Sequence, residues 1–214
     1  MLQNLFFLAE VVGLMAFAAS GAMLAAEKNL DIFGIWVLGM VTAFGGGVIR
    51  DLLLGITPPA MFSNYIFFLL ATLTCCVVFL SYRFSGQVQS KGFDYRTVVN
   101  CFDAVGLGVF SVSGVSVAID AGYAENPLLS VTVGVVTGIG GGMIRDILNS
   151  EIPSVLRKHI YALAAIIGAL LYYLMAVELK LPLLALPCGI AATFSIRMAA
   201  TWYHWHLPRP LDRN

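Results

Sequence analysis

The chain alternates long apolar stretches with short polar connections. Seven of the stretches reach the length of about 20 mostly apolar residues that a helix needs to cross the hydrocarbon core of a membrane. They cover residues 4–26, 32–54, 62–82, 98–120, 127–148, 159–177 and 181–203. The pattern therefore predicts an all-α integral membrane protein with seven transmembrane helices.

One polar motif occurs twice inside these apolar stretches. Residues 44–51 read Phe-Gly-Gly-Gly-Val-Ile-Arg-Asp, and residues 139–146 read Ile-Gly-Gly-Gly-Met-Ile-Arg-Asp. A second match aligns Glu10, Gly13, Phe17, Ser20 and Gly21 with Asp103, Gly106, Phe110, Ser113 and Gly114. The two halves are therefore copies of one unit of three segments. Because three is odd, the second copy enters the membrane from the opposite side, which predicts an inverted 3+3 repeat followed by a seventh helix.

The longest polar connection separates the two copies. It covers residues 83–97 and is rich in Ser, Gly and charged residues, as is typical of a linker. We therefore predict a first repeat at 1–82, a cytoplasmic linker at 83–97, a second repeat at 98–177, and a seventh helix with a cytoplasmic tail at 178–214.

The basic residues predict the orientation. If the N-terminus is outside, one basic residue, Lys180, lies in an outer connection, and eight lie in inner connections or the tail. The eight are Lys28, Arg83, Lys91, Arg96, Arg157, Lys158, Arg209 and Arg213. Positive charge is enriched on the cytoplasmic side of membrane proteins, so the N-terminus is expected outside and the C-terminus inside.

Composition agrees with the membrane class and excludes several functions. The 214 residues are 59% hydrophobic and 11% charged, and the mean hydropathy is +0.88, too apolar for an ordinary soluble domain. The net charge is zero without a basic run, so nucleic acid is not an expected partner. The four cysteines have no CxxC spacing, which predicts no metal site. No catalytic triad, carboxylate dyad or phosphate loop is evident, so we expect neither an enzyme nor a cofactor.

Six glycines in the middle of two predicted membrane helices are the first candidate site. They are Gly45, Gly46, Gly47, Gly140, Gly141 and Gly142. Each costs up to about 1 kcal/mol relative to Ala in a helix interior. We expect them to kink or unwind the second and fifth helices and to expose backbone carbonyls to a water-filled pathway. The alternative is that they allow two helices to pack closely.

The Arg-Asp pairs that follow the glycines are the second candidate site. They are Arg50 and Asp51 in the first copy and Arg145 and Asp146 in the second. We expect the ion pairs Glu10–Arg50 and Asp103–Arg145, which would place an electrostatic gate on each side of a central constriction. The alternative is that the Arg-Asp pairs mark helix ends and extend to the membrane surface.

Four hydroxyl side chains also occupy matched positions in the two copies: Ser20, Ser113, Thr42 and Thr137. Hydroxyls on helices often bond to the backbone of their own helix, so a structural role and a role in lining a pathway both remain open.

These residues and the 3+3+1 layout resemble the prokaryotic members of the trimeric intracellular cation (TRIC) channel family, which overlaps with bacterial proteins described as glycine transporters. The resemblance covers residues 5–203. It implies a homotrimer in the prokaryotic inner membrane that conducts K⁺ or Na⁺. The pore would be an hourglass inside each protomer, lined by the six kink glycines.

Animal members of that family carry a Lys-Glu-Val motif associated with phosphoinositide binding. This chain lacks the motif and has Val99-Asn100-Cys101-Phe102-Asp103 in that region. Anionic lipids are still expected to contact basic residues at the inner surface. The alternative is that these residues only set the orientation of the protein in the membrane. The expected lipid contacts are Arg83, Lys91, Arg96, Arg157 and Lys158.

Inverted repeats and broken helices are equally compatible with a secondary carrier of glycine or another small amino acid. The sequence therefore leaves a channel and a carrier as alternatives. A non-conducting structural protein is disfavoured because it would leave the glycines and the charged residues unexplained.

Overall fold

The computed structural model describes residues 2–85, 95–157, 160–203 and 205. Within these ranges seven helices are long and apolar enough to cross a membrane, which confirms the predicted all-α membrane fold. The seven helices are α1 (Leu2–Glu27), α2 (Ile32–Leu53), α3 (Tyr65–Ser85), α4 (Tyr95–Ala118), α5 (Pro127–Leu148), α6 (Ile160–Tyr173) and α7 (Pro182–Trp202).

Shorter elements follow four of the helices, and those after α2 and α5 lie at matched places in the two copies. A 3₁₀ turn at Ala60–Phe62 follows α2, and a one-turn helix at Ser154–Arg157 follows α5. The π turns Ile119–Tyr123 and Leu174–Glu178 extend α4 and α6. α3 and α4 occupy both ends of the predicted 83–97 linker, whose middle lies outside the described residues. The division of the chain at that linker stays a prediction.

The helix starts also carry the signature of the repeat. The Asp31 side chain accepts a hydrogen bond from the Gly34 amide at 2.8 Å and caps α2. At the equivalent place in α5, the Asn126 side chain accepts from the Leu129 amide at 3.0 Å. Such caps satisfy amides that have no partner within the helix. Both copies therefore begin their second helix with the same device.

The two copies pack on each other as an inverted repeat. α1 packs against α4, and α2 packs against α5. Phe17 on α1 and its equivalent Phe110 on α4 stack with their ring centroids 5.3 Å apart. Equivalent residues that touch each other must lie close to the pseudo-twofold axis that relates the copies. That axis therefore passes between the two phenylalanine rings, half-way through the protein.

The seventh helix has no counterpart in the repeat. α7 packs mainly against α4 and α6 and only marginally against α1, so it adds chiefly to the second copy. The environments of the two copies consequently differ, although their sequences match.

Candidate functional site

The two glycine triplets lie where α2 crosses α5. A side chain at Gly46 would collide with the carbonyl oxygen of Thr137, and one at Gly141 would collide with that of Thr42. A Cβ on Gly140 would lie 3.1 Å from the Cα of Gly46. The glycines thus let the two helix backbones touch, as small residues commonly do between membrane helices.

The helices do not unwind at this crossing. α2 is α-helical from Ile32 to Leu53 and α5 from Pro127 to Leu148, through all three glycines in each case. Of the two expected forms, a kink or an unwound turn with freed carbonyls, the unwound turn is absent from both helices. The physical reason is that Gly46 and Gly141 are in close contact with the backbone of the partner helix, which leaves no room for an unwound turn at the crossing. A bend of either helix axis at the glycines stays a prediction.

A buried charge cluster lies on one side of the crossing. We call the side on which α1 begins the outer side, and this cluster, on the opposite side, the inner cluster: Ser20, Asp103, Arg145 and Asp146. The same guanidinium nitrogen of Arg145 donates to Asp103 Oδ1 and to Ser20 Oγ, each at 2.7 Å. Arg145 also binds Asp146 Oδ1 at 2.8 Å. Its predicted ion pair with Asp103 is thus formed, between side chains that are almost fully buried.

The equivalent residues on the outer side are arranged differently. We call Glu10, Arg50, Asp51 and Ser113 the outer cluster. Ser113 donates to Glu10 Oε1 at 2.5 Å, whereas Arg50 binds its neighbour Asp51 at 2.8 Å. No ion pair joins Glu10 to Arg50, although the structure describes both. The predicted Glu10–Arg50 pair is therefore absent from this conformation, because Asp51 and Ser113 take the two partners.

The two aspartates that follow the arginines share a second task. Asp51 Oδ2 accepts a hydrogen bond from the Ala60 amide at 2.8 Å, and Asp146 Oδ2 accepts one from the Ser154 amide at 2.7 Å. Each carboxylate thus binds its arginine with one oxygen and the chain after the helix with the other. Asp51 and Asp146 are buried in these positions, so they do not extend to a membrane surface.

Two cavities lie on the outer side. The outer vestibule, of about 470 Å³, is lined by the start of α1 and the end of α4 and contains Glu10, Ser113 and Asp120. The outer cavity, of about 300 Å³, contains Glu10, Gly47, Arg50, Asp51 and Phe110. Glu10 lines both cavities. The Glu10–Ser113 hydrogen bond thus stands between the outer vestibule and the arginine beside the glycine crossing.

The two threonines have structural bonds. Thr42 donates to the carbonyl of Leu38, and Thr137 to that of Val133, each at 2.6 Å and within its own helix. Both are fully buried. The Thr42 side chain fills the position that a Cβ on Gly21 would take, and the Thr137 side chain does the same at Gly114. This geometry favours the structural alternative for the threonines, whereas Ser20 and Ser113 belong to the two charge clusters.

Sequence reasoning missed two pairs of residues. Phe17 and Phe110 were visible in the repeat alignment, but an apolar residue in a membrane helix gives no signal of its own. Tyr161 and Arg197 lie in parts of the chain without a detected repeat match. The Arg197 guanidinium lies over the Tyr161 ring, 4.7 Å from its centroid. Arg197 is only 2% exposed, and it forms no ion pair with a described carboxylate.

The predicted lipid contacts are only partly visible. Arg83 and Arg96 are exposed at the ends of α3 and α4. The side chain of Arg157 and all of Lys91 and Lys158 lie outside the described residues. Lipid binding by these five residues stays a prediction.

Comparison with known proteins identifies the family. Residues 7–83 and 100–177, one segment in each copy, match the family described as "Glycine transporter". The UPF0126 inner membrane protein YadS of Escherichia coli is 39% identical over 210 residues, which are 96% of each chain.

Solved structures share the fold. A TRIC cation channel, whose structure was reported as the structural basis for conductance, is 38% identical, with a TM-score of 0.82 and coverage of 98% of both chains. The TRIC trimeric intracellular cation channel orthologue from Rhodobacter sphaeroides is 35% identical, with a TM-score of 0.84, over 94% of this chain and 100% of that one. With its doubled glycine motif and its seven helices arranged as in those structures, the chain belongs to the prokaryotic TRIC channel family, which the glycine transporter family overlaps.

Proposed function

We propose that this protein is a homotrimeric channel for the monovalent cations K⁺ and Na⁺, with a separate pathway inside each protomer. The observation that carries the proposal is the likeness to a TRIC cation channel over 98% of the chain. The membrane would be the inner membrane, as named for the Escherichia coli relative. The N-terminus would lie outside, according to the distribution of basic residues.

The charged residues support a pathway for cations. Glu10 and Asp120 bring two carboxylates to the outer vestibule, which raises the local concentration of cations. The pathway continues past Glu10 into the outer cavity, reaches the glycine crossing and the Phe17–Phe110 stack, and leaves through the inner cluster. Buried charge is costly in a membrane helix and usually marks such a route. In this proposal the paired arginines act as gates and the glycines shape the constriction between them.

One observation favours a second candidate, a carrier of a small amino acid. Glu10 and Arg50 line the same cavity without pairing with each other. Such a cavity suits a zwitterion. The Glu10 carboxylate would bind the ammonium group of the ligand, and the Arg50 guanidinium would bind its carboxylate. The family description agrees with this candidate.

Purified protein in planar bilayers under a K⁺ gradient distinguishes the two candidates. A channel gives unitary currents that reverse near the K⁺ equilibrium potential. A carrier instead gives saturable uptake of labelled glycine into liposomes without unitary currents, and that result would overturn the proposal. Asp31→Ala is a suitable control, because Asp31 caps α2 at an exposed position and belongs to neither cluster. Its currents should match those of the unmodified protein.

A further inference from the structure

The two clusters differ in how they connect α1 to α4. In the inner cluster, the Arg145 guanidinium lies between the two helices, since it binds Ser20 on α1 and Asp103 on α4. In the outer cluster, the two helices are bonded directly through Glu10 on α1 and Ser113 on α4. An arginine therefore bridges α1 and α4 at the inner end only. Arg50 and Arg145 hold the same position on their own helices, 3.8 and 3.6 Å from a Cβ at the preceding glycine, so the two ends differ in whether the α1 and α4 side chains bind the arginine or each other.

Arg50 has room to move toward Glu10. The outer cavity is lined by both residues, and a Cβ placed on Gly47 would have the Arg50 guanidinium, 3.8 Å away, as its sole neighbour within 4 Å beyond the backbone of its own helix. In the second copy, the equivalent space above Gly142 is filled. Besides the Arg145 guanidinium at 3.6 Å, the Tyr161 hydroxyl lies 2.9 Å and the Asp103 carboxylate 3.5 Å from the equivalent Cβ position. The space beside Gly47 in the outer half is thus open, whereas the equivalent space beside Gly142 in the inner half is filled by side chains.

The contact between the two clusters is a pair of rings. Phe17 on α1 stacks on Phe110 on α4 at the pseudo-twofold axis, between Ser20 and Glu10 along α1. A stacked pair at this place can act as a pivot between α1 and α4. It holds the two helices together at their middle, while their inner ends separate in one state and their outer ends separate in the other.

From these contacts we propose that α1 and α4 rock about the Phe17–Phe110 stack and that the two copies exchange states. In the exchanged state, Arg50 crosses the outer cavity and binds Glu10 and Ser113, while Arg145 withdraws from Asp103 and Ser20, which then bond to each other. The repeat makes this state available, because each half contains the residues that form the arrangement seen in the other. The two insertions are therefore linked, and cations cross while the helices pass between the two states, when neither arginine is inserted.

The exchange is tested by thiol labelling at Gly47. Gly47→Cys, in full-length protein with Cys75, Cys76, Cys101 and Cys188 replaced by Ala, places a thiol in the outer cavity. Protein in liposomes is exposed to a membrane-impermeant thiol reagent from the outer side. Asp103→Asn weakens the insertion of Arg145 and favours the exchanged state, in which Arg50 fills the cavity. Labelling of Cys at position 47 should therefore slow several-fold.

A second mutation makes the test specific. If Arg50→Ala is added, the outer half cannot close, and Asp103→Asn should no longer slow labelling. This non-additivity is the signature of coupling between the two clusters. Ser20→Ala removes one bond to Arg145 and should act in the same direction as Asp103→Asn, with a smaller effect, so the test does not depend on a single variant. Leu128→Cys, at an exposed position at the start of α5, should label at one rate in all backgrounds.

Two results would overturn the exchange: labelling at position 47 that neither Asp103→Asn nor Ser20→Ala slows, or slowing that persists with Arg50→Ala. The labelling rates do not depend on conduction. Coupled labelling without currents would contradict the channel proposal alone, and currents with uncoupled labelling would contradict the exchange alone.

Discussion

Arg50 and Arg145 hold the same place in the two copies, but only Arg145 reaches an acid on another helix. Arg145 is tied by two carboxylates and a hydroxyl in the inner cluster, through which the proposed pathway leaves. Two unit charges 4 Å apart interact by about 4 kcal/mol at an effective dielectric near 20. The position of one guanidinium can therefore decide whether a cation passes.

At this scale, we predict that Arg145→Ala raises the basal cation current, because it removes the positive charge from the inner half of the pathway. Asp103→Asn should lower the current, because it frees Arg145 from one of its two carboxylates. The double variant should resemble Arg145→Ala alone. Single-channel recordings at matched protein density provide the measurement. Effects that simply add, or an unchanged current in Arg145→Ala, would place the gate elsewhere.

A second prediction concerns the aspartates that bind both an arginine and the following chain. Asp51→Ala should lower the free energy of unfolding by about 3–5 kcal/mol, because it leaves the buried Arg50 guanidinium and the Ala60 amide without their carboxylate. Asp146→Ala should cost less than Asp51→Ala, because Arg145 keeps its ion pair with Asp103. Asp31→Ala loses only an exposed helix cap and should cost about 0.5–2 kcal/mol. Thermal unfolding of the detergent-purified variants compares the three. Equal losses would mean that Asp51 and Asp146 are not structural clamps.

At the scale of the helices, the central feature is the crossing of α2 and α5. The backbones meet at Gly46 and Gly141, but Gly47 faces the outer cavity. The adjacent glycines Gly46 and Gly47 thus have different roles. Gly46 permits the contact between α2 and α5, whereas Gly47 leaves space for the outer cavity.

We therefore predict that Gly46→Ala destabilises the protein by at least about 1–3 kcal/mol, because its methyl group has no space against the Thr137 carbonyl. Gly47→Ala should leave stability unchanged or slightly raised, since Ala favours the helix by up to about 1 kcal/mol. Gly142→Ala should be intermediate, because its methyl group meets the movable Tyr161 hydroxyl. Thermal unfolding of the three variants gives the order. A stable Gly46→Ala together with an unstable Gly47→Ala would refute the packing role of the crossing.

The helices themselves were predictable, and the use of the glycines was not. The long apolar stretches and the inverted repeat follow from hydropathy and from the matched motifs, and the structure has helices in all seven places. A glycine that unwinds a helix and one that admits a neighbouring helix are the same residue type, however, and only the distance to Thr137 or Thr42 separates the two uses. Similarly, two acids can reach Arg50, and the sequence does not decide between Asp51 and Glu10.

For the whole molecule, the inverted repeat fixes which connections share a side of the membrane. The connection between α1 and α2 and the one between α4 and α5 are equivalent in sequence. Because three helices separate them, they must lie on opposite sides.

We predict that Cys at Leu30 and Cys at Tyr123, both exposed in those connections, label from opposite sides of the membrane. Leu30→Cys should react from the cytoplasm and Tyr123→Cys from outside, as the distribution of basic residues indicates. Impermeant thiol reagents applied to intact cells and to inverted vesicles make the comparison, in a background without the four native cysteines. Labelling of both positions from the same side would rule out the inverted arrangement.

The seventh helix gives this duplicated molecule a bias. Arg197 on α7 lies over Tyr161, and the Tyr161 hydroxyl in turn lies next to Gly142 in the second copy. The first copy has no equivalent of α7, so nothing there holds its glycine face in the same way. If the two copies had identical surroundings, the two states of the proposed exchange would be equally populated. Because their surroundings differ, the two states must differ in free energy, and a difference of about 1.4 kcal/mol already gives a tenfold ratio of their populations. If the two copies exchange states as proposed, the one helix that was never duplicated sets the resting state, and we expect the currents of such a channel to rectify with voltage.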